Sequence, residues 1–341
     1  MNSQHNKNNL DNLINFLIHP NLNLTCIEDQ VKSFTYQEIL ELDNYFNKNS
    51  NVFWSEFKRY NNFSLENKNW FSMWPIRISA RLMLDRKIAE KSYSENFFND
   101  KSSLKVEEII TLDKNTVNLI VSGGFLNLEL EKSNHPEFGN ICLSSLDPNP
   151  IEIKTFISKF QSAILLLKKC DIKSYSCFIK SVSDIVPLHV EPSLTTGKCI
   201  SLSISKTPGV IFLTPSPLIL LAETLLHESA HCRLGAIEAL CKIWKMGDIR
   251  VKSPLRSDLR PISGLFHQSY ILMCLCRFYK NLISVTDDPV IFRNLRQINK
   301  RLIELKIGLK SSVDTLTENT SELTTFGVLL LEAIITEGTV S

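Results

Sequence analysis

This chain of 341 residues has almost no net charge: 38 lysines and arginines stand against 36 aspartates and glutamates, a formal balance of +2. So even a balance gives no electrostatic case for a nucleic-acid partner or an anionic membrane. Long hydrophobic runs are missing too. The stretch from Leu218 to Leu226 is interrupted by Glu223 and Thr224 and is far too short to span a bilayer. The nine cysteines are scattered and none forms a Cys-x-x-Cys pair; Cys274 and Cys276 sit in an apolar run and read as small buried hydrophobes. The Asn-rich start, MNSQHNKNNLDNLINFLIHPNLNL, fits neither a secretory signal nor an Arg-rich transit peptide. A cytoplasmic protein with reduced thiols is therefore expected. No internal repeat is visible. Gly123-Gly124 is not followed by Gly-Lys-Ser/Thr, so a phosphate-cradling loop is not expected there.

What is present is an ordinary apolar fraction of 43%, enough to bury a sizeable core. Helical periodicity runs through much of the chain. Residues 8–115 read as helical, with an aromatic cluster from Phe53 to Trp74 that suits helix packing or a greasy peptide groove. Residues 117–130 suggest two short strands around the glycine pair, and 151–170 return to helical period. Cys177-Phe178-Ile179 and Ile185-Val186-Pro187 suggest short strands. Residues 199–214 read as a hairpin across Thr207-Pro208-Gly209. The expectation is a mainly α protein with a small β-sheet or hairpin, divided into a helical lobe over 1–115, with a groove suited to a peptide, and a catalytic part over 116–341.

Pro215-Ser216-Pro217 ends the hairpin's second arm and opens a helix, with Ser216 as the expected cap. That helix carries His227-Glu228-Ser229-Ala230-His231. At 3.6 residues per turn the two histidines lie about 40° apart on one face and reach one metal ion. Most of the helix is apolar on every side, so its ionisable groups are costly unless they are paired or bind metal. Glu223 and Glu238 project close to the line of the histidines, and Glu223 is placed either to orient an imidazole or to serve as a simple surface carboxylate.

A third ligand is needed, and the spacing HExxHxxGxxH fails because Leu234 and Ile237 occupy the required positions. Downstream comes SPLRSDLRPISGLFHQSYILMCLCRFY, where Pro261 suits the first turn of a second buried helix. On it His267 shares a face with Ser263, Gly264 and Tyr270, and Arg260 lies two turns earlier. An arginine at a helix N-terminus is poorly placed for the macrodipole unless an anion sits there. Asp258 and Glu238 remain alternatives as ligands, or as partners of Arg256 and Arg260.

HESAH, a spacer of about twenty residues and then PLRSDLRPISGLFHQSY together resemble the HExxH-type, 2-oxoglutarate-dependent peptide β-hydroxylases, which tailor ribosomally made peptides. The likeness covers roughly residues 155–285, including PGVIFLT ahead of LAETLLHESAH, and extends to ELTTFGVLLLEA in the tail. It implies Fe(II) held by His227, His231 and His267, 2-oxoglutarate gripped by Arg260 or Arg256 near Tyr270, and O2 as oxidant. It also implies a functional Glu228 and a precursor peptide with a leader as substrate. Three histidines depart from the usual two-His-one-carboxylate iron site. A zinc peptidase, with Glu228 as general base, is the alternative the motif allows.

Overall fold

The computed structural model describes residues 2–19, 30, 106–111, 117–123, 133–135, 139–141, 144–145, 150–182, 184–189, 201–203, 209–246, 249–253, 259–285 and 287–340. Within them the protein is mainly α-helical with a small β component. The chain divides into two compact units. One comprises residues 32–162 and 182–221; the other comprises 1–31, 163–181 and 222–341. The division does not follow a boundary at residue 115. The first helix groups with the C-terminal helices, and residues 106–111, read as helical from sequence, form a strand. The aromatic cluster at 53–74 lies outside the described residues.

The first of these units holds a sheet in the order β1 (Val106–Thr111), β2 (Asn118–Gly123), β6 (Asp184–His189), β8 (Val210–Leu213) and β7 (Ser201–Ser203). Strands β2, β6 and β8 run parallel, with β1 and β7 antiparallel at the edges. Two small antiparallel pieces complete it: β5 (Ser144–Ser145) on the end of β6, and the pair β3 (Ser133–His135) with β4 (Gly139–Ile141). The expected hairpin is β7–β8, and Gly209, at φ 96°, takes the left-handed backbone that its turn requires. Ile185, Val186, Ile211 and Phe212 are fully buried, as central parallel strands demand. Pro187 is tolerated in β6 because the pairing with β2 stops at Ile185.

The other unit is a helical assembly. It contains α1 (Asn2–Ile18), the end of α2 (Pro150–Cys170), α3 (Ile172–Ser181), α4 (Leu218–Leu240) from Ala222 onward, α5 (Ile262–Ser284), α6 (Pro289–Glu318) and α7 (Thr325–Val340). A short ribbon of β9 (Arg250–Lys252) and β10 (Leu259–Pro261) leads into α5. Among the described residues, no helix is long and apolar enough to cross a membrane. Cys177-Phe178-Ile179, expected as a strand, lie in α3. Asp171 caps that helix, accepting from the Lys173 backbone amide at 2.9 Å and the Ser174 hydroxyl at 2.5 Å. Cys274 and Cys276 are buried in α5 as expected, and burial pushes their thiols up to about 12 and about 11.

Two side chains dock the C-terminal end of α1. Arg233 of α4 is buried; its Nε and Nη2 donate to the Phe16 carbonyl, Nε at 2.7 Å, and its guanidinium lies 3.7 Å from the Phe16 ring centroid. Tyr270 of α5 donates its hydroxyl to the neighbouring Leu17 carbonyl at 2.9 Å. These carbonyls have no partner within a helix and carry the negative end of its dipole, which is why a buried cation and a phenol end there. Replacing Arg233 by leucine is expected to cost about 2–4 kcal/mol of unfolding free energy, and Tyr270→Phe about 1–3 kcal/mol, in urea unfolding. Tyr270→Phe is expected to leave any co-substrate requirement unchanged, because the hydroxyl is spent on α1.

Candidate metal centre

Helix α4 begins at Leu218, where the Leu221 amide bonds to the Pro217 carbonyl. Ser216, expected as its cap, is buried, and its hydroxyl has no hydrogen-bond partner among the described residues. From Leu221 through Leu226 every residue is buried. His227 and His231 emerge one turn apart, their ring centroids 5.0 Å apart and their planes at 61°. The apolar collar places both imidazoles at the edge of the core, half-buried rather than in open solvent.

The second buried helix brings the third histidine. His267 of α5 stacks on His231 with centroids 5.1 Å apart, and their Nδ1 atoms stand 3.0 Å apart. In the absence of an ion this is a hydrogen bond, with one ring donating and the other accepting. Two neighbouring ligand nitrogens on one ion, each about 2.1 Å from it, would stand at about the same separation. The donor set is therefore compatible with a shared metal. Among the described residues no three donors already converge on one point. His231 and His267 approach as a pair, while His227 presents itself edge-on to His231.

Glu238, one of the carboxylates left open as a ligand, contacts the other face of this arrangement. Its Oε1 makes a short contact with Nε2 of His267. A carboxylate on one ring nitrogen fixes the tautomer and leaves the other nitrogen for a metal, the usual outer contact of a ligating histidine. Glu238 thus orients His267 from α4 while His267 reaches back to His231. Asp258, the other open carboxylate, lies outside the described residues.

Glu223 does not orient a histidine. It is buried and accepts from the Tyr279 hydroxyl and from Nη2 and Nε of Arg301, at 2.6 and 3.2 Å. Its place on the motif helix reflects a tie between α4, α5 and α6. Burial and the Glu223 charge push the Tyr279 phenol far above its usual range. The sequence did carry a signal for this: Tyr279 and Arg301 are polar side chains in otherwise apolar or amphipathic stretches.

Glu228 is also buried, its side chain 4% exposed, with Oε1 3.9 Å from Nε2 of His227. The pair shares one end of the site, and Glu228 is not presented to solvent as a simple surface acid. Arg260 stands in β10 opposite Val251, not in the helix itself, two residues before α5 begins. Burial holds the His231 imidazolium far below its usual range, helped by positive charge at His227, at His267 and on the Arg260 guanidinium. His231 is accordingly a neutral imidazole at neutral pH, the form that ligates a metal. The Arg260 charge also belongs to the surroundings of this histidine.

Gly264 lies between Arg260 and His267 in the chain. Among the described residues, nothing beyond its chain neighbours and its own helix backbone lies within 4 Å of where its Cβ would stand. Gly235, one turn beyond His231, is the same. Arg256 lies outside the described residues, and Tyr270 points to α1. Of the seven site residues anticipated from sequence, the three histidines form one cluster, with Glu228 beside His227 and the Arg260 charge acting on His231.

Glu238→Gln keeps shape and one hydrogen bond but removes the charge. It is expected to weaken metal binding by about ten- to a hundredfold, without lowering the melting temperature, in titrations with Fe(II) or with Co(II) as a spectroscopic probe. No family model matches the chain, and no match was found among curated proteins.

Proposed function

We propose that the protein is an Fe(II)- and 2-oxoglutarate-dependent oxygenase that hydroxylates the β-carbon of a residue in a ribosomally made peptide. The observation that carries the reading is the pairing of His231 and His267 at 3.0 Å across two buried helices, with the Arg260 charge bearing on His231. An HExxH helix alone suits zinc hydrolysis. An HExxH helix joined to a histidine whose own strand-helix junction carries an arginine suits a metal with an anionic co-substrate.

His227, His231 and His267 are the residues that would hold iron, which with 2-oxoglutarate and O2 supplies the oxidising power for hydroxylation. The protein's own contributions are distinct. Buried apolar residues of α4, Leu225, Leu226 and Ala230 among them, keep water away from the histidines on the core side. Glu238 holds the His267 ring by its Nε2. Arg260, half-buried before α5, is suited to a carboxylate, since a guanidinium forks to two oxygens and cannot be discharged at neutral pH. Glu228, beside His227, is placed to steer that ring, and this role needs no proton transfer to water.

Purified anaerobically and supplied with Fe(II), the protein is expected to convert 2-oxoglutarate to succinate under air in the presence of a peptide substrate. Peptide cleavage with zinc, and without 2-oxoglutarate, would overturn the reading. His267→Ala is expected to lose Fe(II) as fully as His227→Ala, read by metal analysis after desalting. Arg260→Ala is expected to retain iron while the 2-oxoglutarate concentration for half-maximal turnover rises about tenfold or more.

A further inference from the structure

His231 and His267 belong to different helices, so the separation of α4 and α5 at that level decides whether the two rings meet. Glu223 meets Tyr279 at one end of the crossing and Glu238 meets His267 at the other, so the helices run antiparallel. At 1.5 Å per residue the Glu223–Tyr279 contact lies about 12 Å along α4 and about 18 Å along α5 from the histidine pair. It fixes the far end of the crossing. The Glu238–His267 contact is made by the ring itself and travels with it.

A nearer tie comes from the last turn of α1. Arg233 is two residues beyond His231 and Tyr270 three beyond His267, about 3 Å and about 4.5 Å along their helices. Arg233 donates Nε to the Phe16 carbonyl at 2.7 Å, and Tyr270 donates its hydroxyl to the Leu17 carbonyl at 2.9 Å. The two acceptors are consecutive in the chain, so one turn of α1 holds both metal-bearing helices at the height of the histidines. Both donors are buried, and the turn they grip is itself seated: α1 packs on α7, with Leu13, Phe16 and Leu17 buried. Arg233 also donates Nη1 to the Ser181 hydroxyl at 3.4 Å, which adds α3 to the same junction.

We infer that Arg233 and Tyr270 are positioning residues for the metal centre: through the last turn of α1 they hold α4 and α5 at the spacing at which His231 and His267 pair. On the helical wheel Arg233 stands about 160° from His231, so its hold on the site passes through α1 and the α4 backbone. A small change of helix spacing matters here, because metal–nitrogen distances hold within about 0.2 Å. The N-terminal helix thereby becomes part of the site although it supplies no ligand. The consequence for metal rests on the proposed histidine ligand set; the consequence for the His231–His267 contact, 3.0 Å between Nδ1 atoms, does not.

The test loosens α1 from both sides in the full-length protein. Tyr270→Phe and Arg233→Met remove the donors, Leu13→Ala weakens the seat of α1 and leaves both donors in place, and Ile291→Ala, a buried position at the start of α6, controls for lost stability. In metal-free protein labelled with 15N-histidine, Tyr270→Phe and Leu13→Ala are expected to shift the imidazole signals of His231 and His267, while Ile291→Ala leaves them in place. Co(II) affinity is expected to fall about three- to tenfold in the variants that loosen α1, with Arg233→Lys between Arg233→Met and the wild type. If Arg233→Met fails to fold, Tyr270→Phe and Leu13→Ala decide alone. Imidazole signals unmoved in both of these, or moved as far by Ile291→Ala, would overturn the inference. A wild type that binds no Co(II) overturns the oxygenase reading instead, and the imidazole signals still decide this one.

Discussion

The structure of the helical unit turns on one constraint: a helix that is apolar nearly all round carries six ionisable side chains, and each of those it buries must find a partner. Glu223, Glu228 and Arg233 are almost wholly enclosed, and His227, His231 and Glu238 stand at the edge. Leaving such groups unpaired costs more than a typical domain's margin of stability allows. The partners of α4 come from its neighbours: Tyr279 on α5 and Arg301 on α6 for Glu223, the Phe16 carbonyl on α1 for Arg233, and His267 on α5 for both His231 and Glu238. Apolar packing alone would let these helices slide. The polar ties fix which residue of each neighbour faces which residue of the motif.

The same ties explain why the site can be built on rigid elements. Glu238 and His231, two turns apart on α4, grip the two nitrogens of one imidazole on α5. A ring held at both ends cannot turn about its χ2 without breaking a contact. A further tie at the other end of α5 joins Arg277 to Asp171, Nε donating at 3.0 Å, and to Glu337 at 3.3 Å. Helix α5 is thereby anchored to the cap of α3 and to α7, and the histidine near its start is placed by the whole helix.

Sequence periodicity carried the elements whose local and tertiary signals agree. The α4 and α5 helices and the β7–β8 hairpin are where apolar spacing, proline and turn residues point the same way. Cys177-Phe178-Ile179 reads as a strand but lies in α3, whose start Asp171 caps, because a run of three cannot tell a strand from one face of a buried helix. Histidine spacing on α4 showed two of the cluster's members directly, and the arginine–histidine segment showed a third. What could not be read was the direction of side chains at the same helical spacing. Tyr270 and His267 are three residues apart on α5, yet one caps α1 and the other meets α4. Glu223 and Glu238 project alike on α4, yet one serves Arg301 and Tyr279 while the other serves a histidine. A helical wheel gives an azimuth; the partner depends on which helix crosses at that height.

That difference bears on what an HExxH segment means. The five residues specify a spacing of two imidazoles and no more, and the chemistry depends on what the rest of the chain brings to them. Here the surroundings are a histidine held by a carboxylate, and a His231 whose proton affinity is lowered by burial and by nearby positive charge, that of Arg260 included. A hydrolytic site needs its glutamate exposed to a metal-bound water, as a base that gains and loses a proton in each turnover. Glu228 is instead buried, its side chain 4% exposed, and set beside His227. The burial of this one carboxylate, together with the positive charge that Arg260 adds to the surroundings of His231, is what supports the oxygenase proposed above over a hydrolase built on the same motif.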